Sequence, residues 1–170
     1  MSFLSNILQP KAPPLMDLWV WIVAEARDPV YYTRHAVADT VDGRFDMVAL
    51  VTSLVLLRLE RDDQRQETAW LTERFVDDMD GSLRQIGIGD MLIGKHVGKA
   101  VGSLGGRLGA YRRVLLAEDP ALPMQDAIAR NIFRGDDVDG RAPGLAEAAL
   151  ALNARINAAP MAALLLGKIA

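Results

Sequence analysis

From Leu15 onward the apolar positions recur every three to four residues, and the strict alternation of a half-buried strand appears nowhere. In "LMDLWVWIVAEARD", Leu15, Leu18, Trp19, Ile22 and Ala26 fall on one helical face. Asp28 followed by Pro29 is a cap before a first-turn proline, so a short helix restarts in "PVYYTRHA". "VADTVDG" reads as a loop, with Asp42 as the cap of the next helix, "GRFDMVALVTSLVLLRLE". That helix is apolar on every side between Met47 and Leu57, which marks the buried centre of a bundle. Beyond the exposed corner "RDDQRQE", one long helix is predicted from about Glu67 to Ile86 and another from about Asp90 to Glu118. "EDPALP" breaks the chain. "MQDAIARNIF" and "LAEAALALNARINA" then flank the loop "RGDDVDGRAPG", and Pro160 restarts a short apolar helix. The pattern predicts an all-α fold: a single-domain bundle of about six to eight helices over residues 15–170. Residues 1–14 form an N-terminal arm whose prolines resist helix. Its Phe3, Leu4, Ile7 and Leu8 suit docking on the protein's own surface or on a lipid interface.

Composition narrows the function. With 170 residues, 51% of them hydrophobic, the chain suits one compact domain. A net charge of −3 gives no bulk attraction to nucleic acid, so no DNA partner is expected. The absence of cysteine excludes disulfides, thiolate nucleophiles and Cys-based zinc sites. The longest apolar run, Met47–Leu57, falls short of the ~20 residues of a membrane span. "MSFLSNILQP" lacks the basic start and apolar core of a secretory signal. These features predict a soluble protein whose membrane contact is at most peripheral.

Two acidic clusters invite a metal or acid–base reading. In "FVDDMDGSLRQIGIGD", Leu71, Phe75, Met79, Leu83 and Ile86 form an apolar stripe, while Glu73, Asp77, Asp80 and Arg84 lie opposite. Asp78 sits at the edge of the stripe. Asp80 with Arg84, and Arg74 with Asp78, have i, i+4 spacing, which favours an ion-paired, solvated face. Helical metal sites add a histidine, and neither His35 nor His96 belongs to such a pattern. "GDDVDGRAPGLAE" fails as a calcium loop, because Gly135 and Ala146 stand at the first and last ligand positions. Nucleophile elbow, P-loop and zinc-protease motifs are missing, so no enzyme, metal or cofactor is expected.

Glycine spacing marks "IGKHVGKAVGSLGGRLGAYRR". Gly94, Gly98, Gly102 and Gly106 recur every four residues, with Gly105 and Gly109 beside them. Each costs a helix interior ~1 kcal/mol relative to alanine. The spacing predicts that this ladder lets another helix of the same chain approach closely, so that Gly102→Leu costs several kcal/mol through overpacking. The segment is also basic. Lys95, Lys99 and Arg113 share one helical angle, near Arg107 and Tyr111. Either they form a solvated face that pairs internally, or they rim a docking surface for an anionic partner such as lipid headgroups, RNA or an acidic protein.

"WIVAEARDPVYY", "VADTVDGRFDM", "FVDDMDGSLRQIGIGD" and "GRLGAY" occur in this order and resemble the ubiquinol–cytochrome c chaperone family from about Leu18 to Arg134. Asp39, Thr40, Gly43, Arg44, Asp78, Met79, Asp80, Arg84, Gly87, Gly89, Asp90, Gly106 and Arg107 carry the pattern. Ala38, Val51, and Leu104 with Gly105 depart from it, standing where a proline, a histidine and an aromatic pair are usual. The resemblance implies a non-enzymatic chaperone that holds newly made cytochrome b until the cytochrome bc complex is assembled. It also implies a small helper protein or the ribosome as further partners and, with no targeting segment read at the start, a bacterial member that works in the cytoplasm, peripheral to the inner membrane. A helical carrier of a hydrophobic ligand such as haem or quinone, and an enzyme using the carboxylate helix with a metal, are the alternatives.

Overall fold

The computed structural model describes residues 14–85, 90–135 and 140–170, without the side chains of Leu83, Asp90 and Met91. Nearly all of the predicted arm lies outside the described residues. The fold is all-α, with eight helices among the described residues: α1 Met16–Ala26, α2 Pro29–Thr33, α3 Val41–Arg61, α4 Arg65–Gln85, α5 Asp90–Leu115, α6 Ala121–Asn131, α7 Ala142–Ala158 and α8 Met161–Leu165.

Helix α3 is the axis. Every residue from Met47 to Leu56 is buried. It packs against α1, α4, α5 and α7, while α6 lies against α5 and α7 and α8 lies on α1. The predicted stripe of α1 is inside, with Leu18, Trp19, Ile22 and Ala26 buried. Leu71 and Phe75 face the core from α4, and Ile93, Leu104, Tyr111 and Val114 are buried on α5. Trp19 meets Phe75 edge to face at 6.3 Å between centroids.

Local chemistry sets the helix ends. Asp28 caps α2 by accepting from the Val30 amide at 2.9 Å. Thr40, not Asp42, caps α3: its hydroxyl accepts from the Gly43 amide at 3.1 Å, while Asp42 lies in the first turn and pairs with Arg134 at 3.1 Å. The corner before α4 is shorter than predicted, because Asp63 takes a left-handed φ of 55° and turns the chain at once. Helices α6 and α7 start earlier than predicted, with Pro123 and Pro143 in their first turns, where a missing amide hydrogen breaks no helical bond. Arg58, buried near the end of α3, donates to the carbonyls of Ile156, Asn157 and Ala159, tying α3 to the last turn of α7.

Among the described residues the glycine ladder does not face a helix: a Cβ placed on Gly94, Gly98, Gly102, Gly105 or Gly106 meets none of their atoms within 4 Å. At ~100° per residue these glycines point away from the Ile93, Leu104 and Tyr111 edge that packs inward. A repeat of four residues defines a stripe on a helix but does not say which side the protein buries. Both lysines of the segment, Lys95 and Lys99, are on this exposed side, with Arg113.

Leu54→Ala, at a fully buried site in α3, should cost about 2–5 kcal/mol by leaving a cavity at the axis, measured by denaturant unfolding. Gly102→Ala should raise stability by about 1 kcal/mol, the reverse of what close packing requires, and Gly98→Ala should add to it. A lower melting temperature for Gly102→Ala would mean that the stripe is covered.

Candidate functional site

Three sequence-distant segments converge at the N-terminal end of α3. The first is the turn into α3. Arg44 pairs with Asp39 at 2.7 Å, and that bond holds the exposed Asp39 carboxyl below the usual range. Gly43 lies so close to the preceding loop that a Cβ would collide with the Ala38 carbonyl oxygen, which explains glycine there. The second segment is the acidic end of α4. Arg84 pairs with Asp80 at 2.8 Å, as the spacing predicts. Arg74 pairs instead with Asp77 at 2.5 Å, because Asp78 turns inward to accept from the Trp19 indole at 3.4 Å. Glu73 and Asp77 face solvent and Asp80 is half-buried. Among the described residues no three His, Asp or Glu side chains converge on a point where a metal could sit. The third segment is the middle of α5.

Between these segments lies a cleft of about 700 Å³. Its floor is an ion cluster. Arg107 of α5 donates to the buried carboxylate of Asp46, to Ser103 and to the Asn131 carbonyl at 3.1 Å, and it stacks over Phe45 at 5.5 Å. Arg134 reaches the same carboxylate at 3.5 Å. Burial pushes the Asp46 carboxyl above its ordinary range, against the pull of Arg107 and Arg134. The wall is apolar at Val41, Phe45, Val48, Met79 and Ala100. The lining as a whole is cationic: six Lys or Arg side chains line the cleft against three Asp, in a chain whose net charge is −3.

The residues of the predicted docking face separate. Lys95, Lys99 and Arg113 are exposed, and Lys99 also borders the cleft. Arg107 is not a surface rim residue, because Asp46 and Asn131 hold it down into the cleft floor. Tyr111 is fully buried beside α3, where burial pushes its phenol above the ordinary range, so it forms no rim either. At ~100° per residue Arg107 and Tyr111 already fall roughly 120° and 160° from Lys95, toward the side of α5 that buries Ile93 and Leu104. Leu104 is buried in the core and Gly105 is exposed, so the substituted pair is split between the two environments. Gly87, Gly89 and the side chain of Asp90 lie outside the described residues, and Gly106 is on the exposed stripe. Sequence reading missed Asp46, Phe45, Arg130 and Arg134. An aspartate just before an apolar run was the one available signal for Asp46.

Fold and site together define an all-α domain with an open, charged cleft built from three motif segments. The chain belongs to the ubiquinol-cytochrome C chaperone family, whose model matches residues 33–170. It is similar to a protein in a solved structure described as the crystal structure of the Cbp3 homolog from Brucella abortus. The two share 30% identity over 92% of this chain and 87% of that one, with a TM-score of 0.79. No curated protein matches at a significant level.

Asp46→Ala should cost about 3–5 kcal/mol, because it strands the Arg107 charge. The paired replacement Asp46→Leu with Arg107→Met should recover most of that loss, since burial already opposes the Asp46 charge. Equal instability of the single and paired variants would show that the two side chains act independently.

Proposed function

We propose that this protein is a non-enzymatic assembly chaperone that binds newly made cytochrome b and supports assembly of the cytochrome bc complex. Membership of the chaperone family over residues 33–170 carries the reading, and the similarity in fold to the Cbp3 homolog supports it. The outer side of α5 suits a client whose apolar segments are flanked by charged loops. Glycines along it keep side chains out of the way, Leu92 and Val101 are exposed beside them, and Lys95, Lys99 and Arg113 supply charge. No helix among the described residues is long and apolar enough to cross a membrane. Contact with the inner membrane would therefore run through the client or through the surface of the domain. A carrier of haem or quinone would need an enclosed apolar cavity, whereas the cleft at the end of α3 is open and lined by charge.

Deleting the gene should lower the amount of assembled cytochrome bc complex, read by native gels of membranes, and spare other respiratory complexes. A normal level in the deletion strain would overturn the assignment. Lys95→Glu with Lys99→Glu should weaken capture of cytochrome b in pull-downs at unchanged melting temperature, because exposed charges contribute little to stability. Full capture by that variant would move the client elsewhere on the domain.

A further inference from the structure

The cleft at the end of α3 has more positive charge than the fold uses. Asp46 and Asp42 satisfy Arg107 and Arg134, and Asp39 satisfies Arg44. The side chains of Arg27, Lys99 and Arg130 have neither an ion pair nor a hydrogen bond among the described residues, yet all three line the same cavity. They come from three places in the chain: the end of α1, the middle of α5 and the end of α6. Like charges set around one cleft repel one another, and none of the three is part of the buried core. In addition, the Nε of Arg107 is buried at the cleft floor with no hydrogen-bond partner. The electrostatics therefore fit an anion.

Shape and lining narrow the anion. At about 700 Å³ the cleft is in the size range of small-molecule sites, roughly 300–1,000 Å³. A partner helix, roughly 10 Å across with its side chains, would not enter it for more than about one turn. Guanidinium groups match phosphate oxygens in paired hydrogen bonds, and Arg supplies five of the six cations. Beside the cations runs the apolar wall of Phe45, Val48 and Met79, and Val41 stands 70% exposed. A free phosphate would leave that wall unused. A molecule with a phosphate at one end and hydrocarbon at the other would use both.

We propose that this cleft binds the headgroup of an anionic phospholipid, with the phosphate between Arg27, Lys99 and Arg130 and the start of the acyl chains against Phe45 and Met79. Such a site would hold the α3–α6 side of the domain against a membrane surface without any spanning helix. The proposal needs no client, so it stands or falls separately from the binding of cytochrome b.

The test is co-sedimentation of the full chain with vesicles of phosphatidylcholine containing about 30% phosphatidylglycerol, and with vesicles of phosphatidylcholine alone. Binding is expected to the first and not the second, and to weaken as salt is raised. Arg27→Gln, Lys99→Gln and Arg130→Gln together should lower partitioning on the order of 100-fold, about fivefold for each basic group removed near an anionic surface. All three side chains are exposed, so melting temperature should hold. A control carrying Arg34→Gln, Arg65→Gln and Lys168→Gln removes the same charge from exposed positions outside the cleft, and it should keep partitioning within a few fold of the parent. Equal loss in the control would overturn the site in favour of diffuse surface attraction. Glycerol phosphate and inorganic phosphate, added as competitors, should displace the protein only at concentrations far above that of the lipid. Tight binding of either would make this a free-phosphate site and overturn the lipid assignment. Preference for a glutamate-rich peptide over the vesicles would overturn it in favour of an acidic protein segment.

Discussion

Ten consecutive residues of α3, Met47–Leu56, are each no more than 5% exposed, and no helix can bury every side without being surrounded. Four helices supply that enclosure, each through one apolar stripe. The arrangement ends where the apolar run ends. Asp46, one residue before Met47, is still at full depth but carries a carboxylate, so the surrounding helices cannot close over it with hydrocarbon alone. Arg107 and Arg134 fill that place, and the polar groups they bring open the bundle to solvent. The cleft is thus a consequence of where the buried helix stops being apolar.

The same enclosure frees the outer sides of the surrounding helices. Helix α5 spends its Ile93, Leu104 and Tyr111 edge on the core, and its opposite side is left to glycine and lysine. Exposed glycines weaken a helix without improving the packing of the fold. The bare helical surface and its flanking charge are the features that the proposed client contact would use. Helix α4 differs: its acidic end is satisfied within the chain, with Asp77 on Arg74, Asp80 on Arg84 and Asp78 on Trp19. The carboxylates that first suggest a reactive site are thereby accounted for by local ion pairs and one inter-helix hydrogen bond.

Much of this was readable in advance. The helical class, the buried α3, the cap at Asp28, the inward stripe of α1 and the Leu71, Phe75 and Met79 part of the α4 stripe follow from spacing and residue type, because burial of apolar area is the strongest force favouring the folded chain and acts on every turn; the Leu83 side chain and Ile86 lie outside the described residues. The motif runs also identified the family, which the match over residues 33–170 establishes. Errors arose where two local solutions are nearly equal in energy. Thr40 and Asp42 both cap well, and Arg74 can reach Asp77 or Asp78; the neighbouring Arg134 and Trp19 selected between them.

By itself, then, the sequence determined which residues make helices and which face of most helices seeks the core, since both depend on interactions within a few residues of the chain. Tertiary structure alone decided which side of α5 is inside, because its glycine ladder and its apolar edge are both compatible with close packing in an isolated helix. It also decided the cleft. Arg27, Asp46, Met79, Lys99, Arg107, Arg130 and Arg134 are distributed over more than a hundred residues, and their juxtaposition depends on how five segments cross. Electrostatic interactions between such groups are screened over roughly 10 Å at a protein surface, so their sum has no meaning until the distances exist.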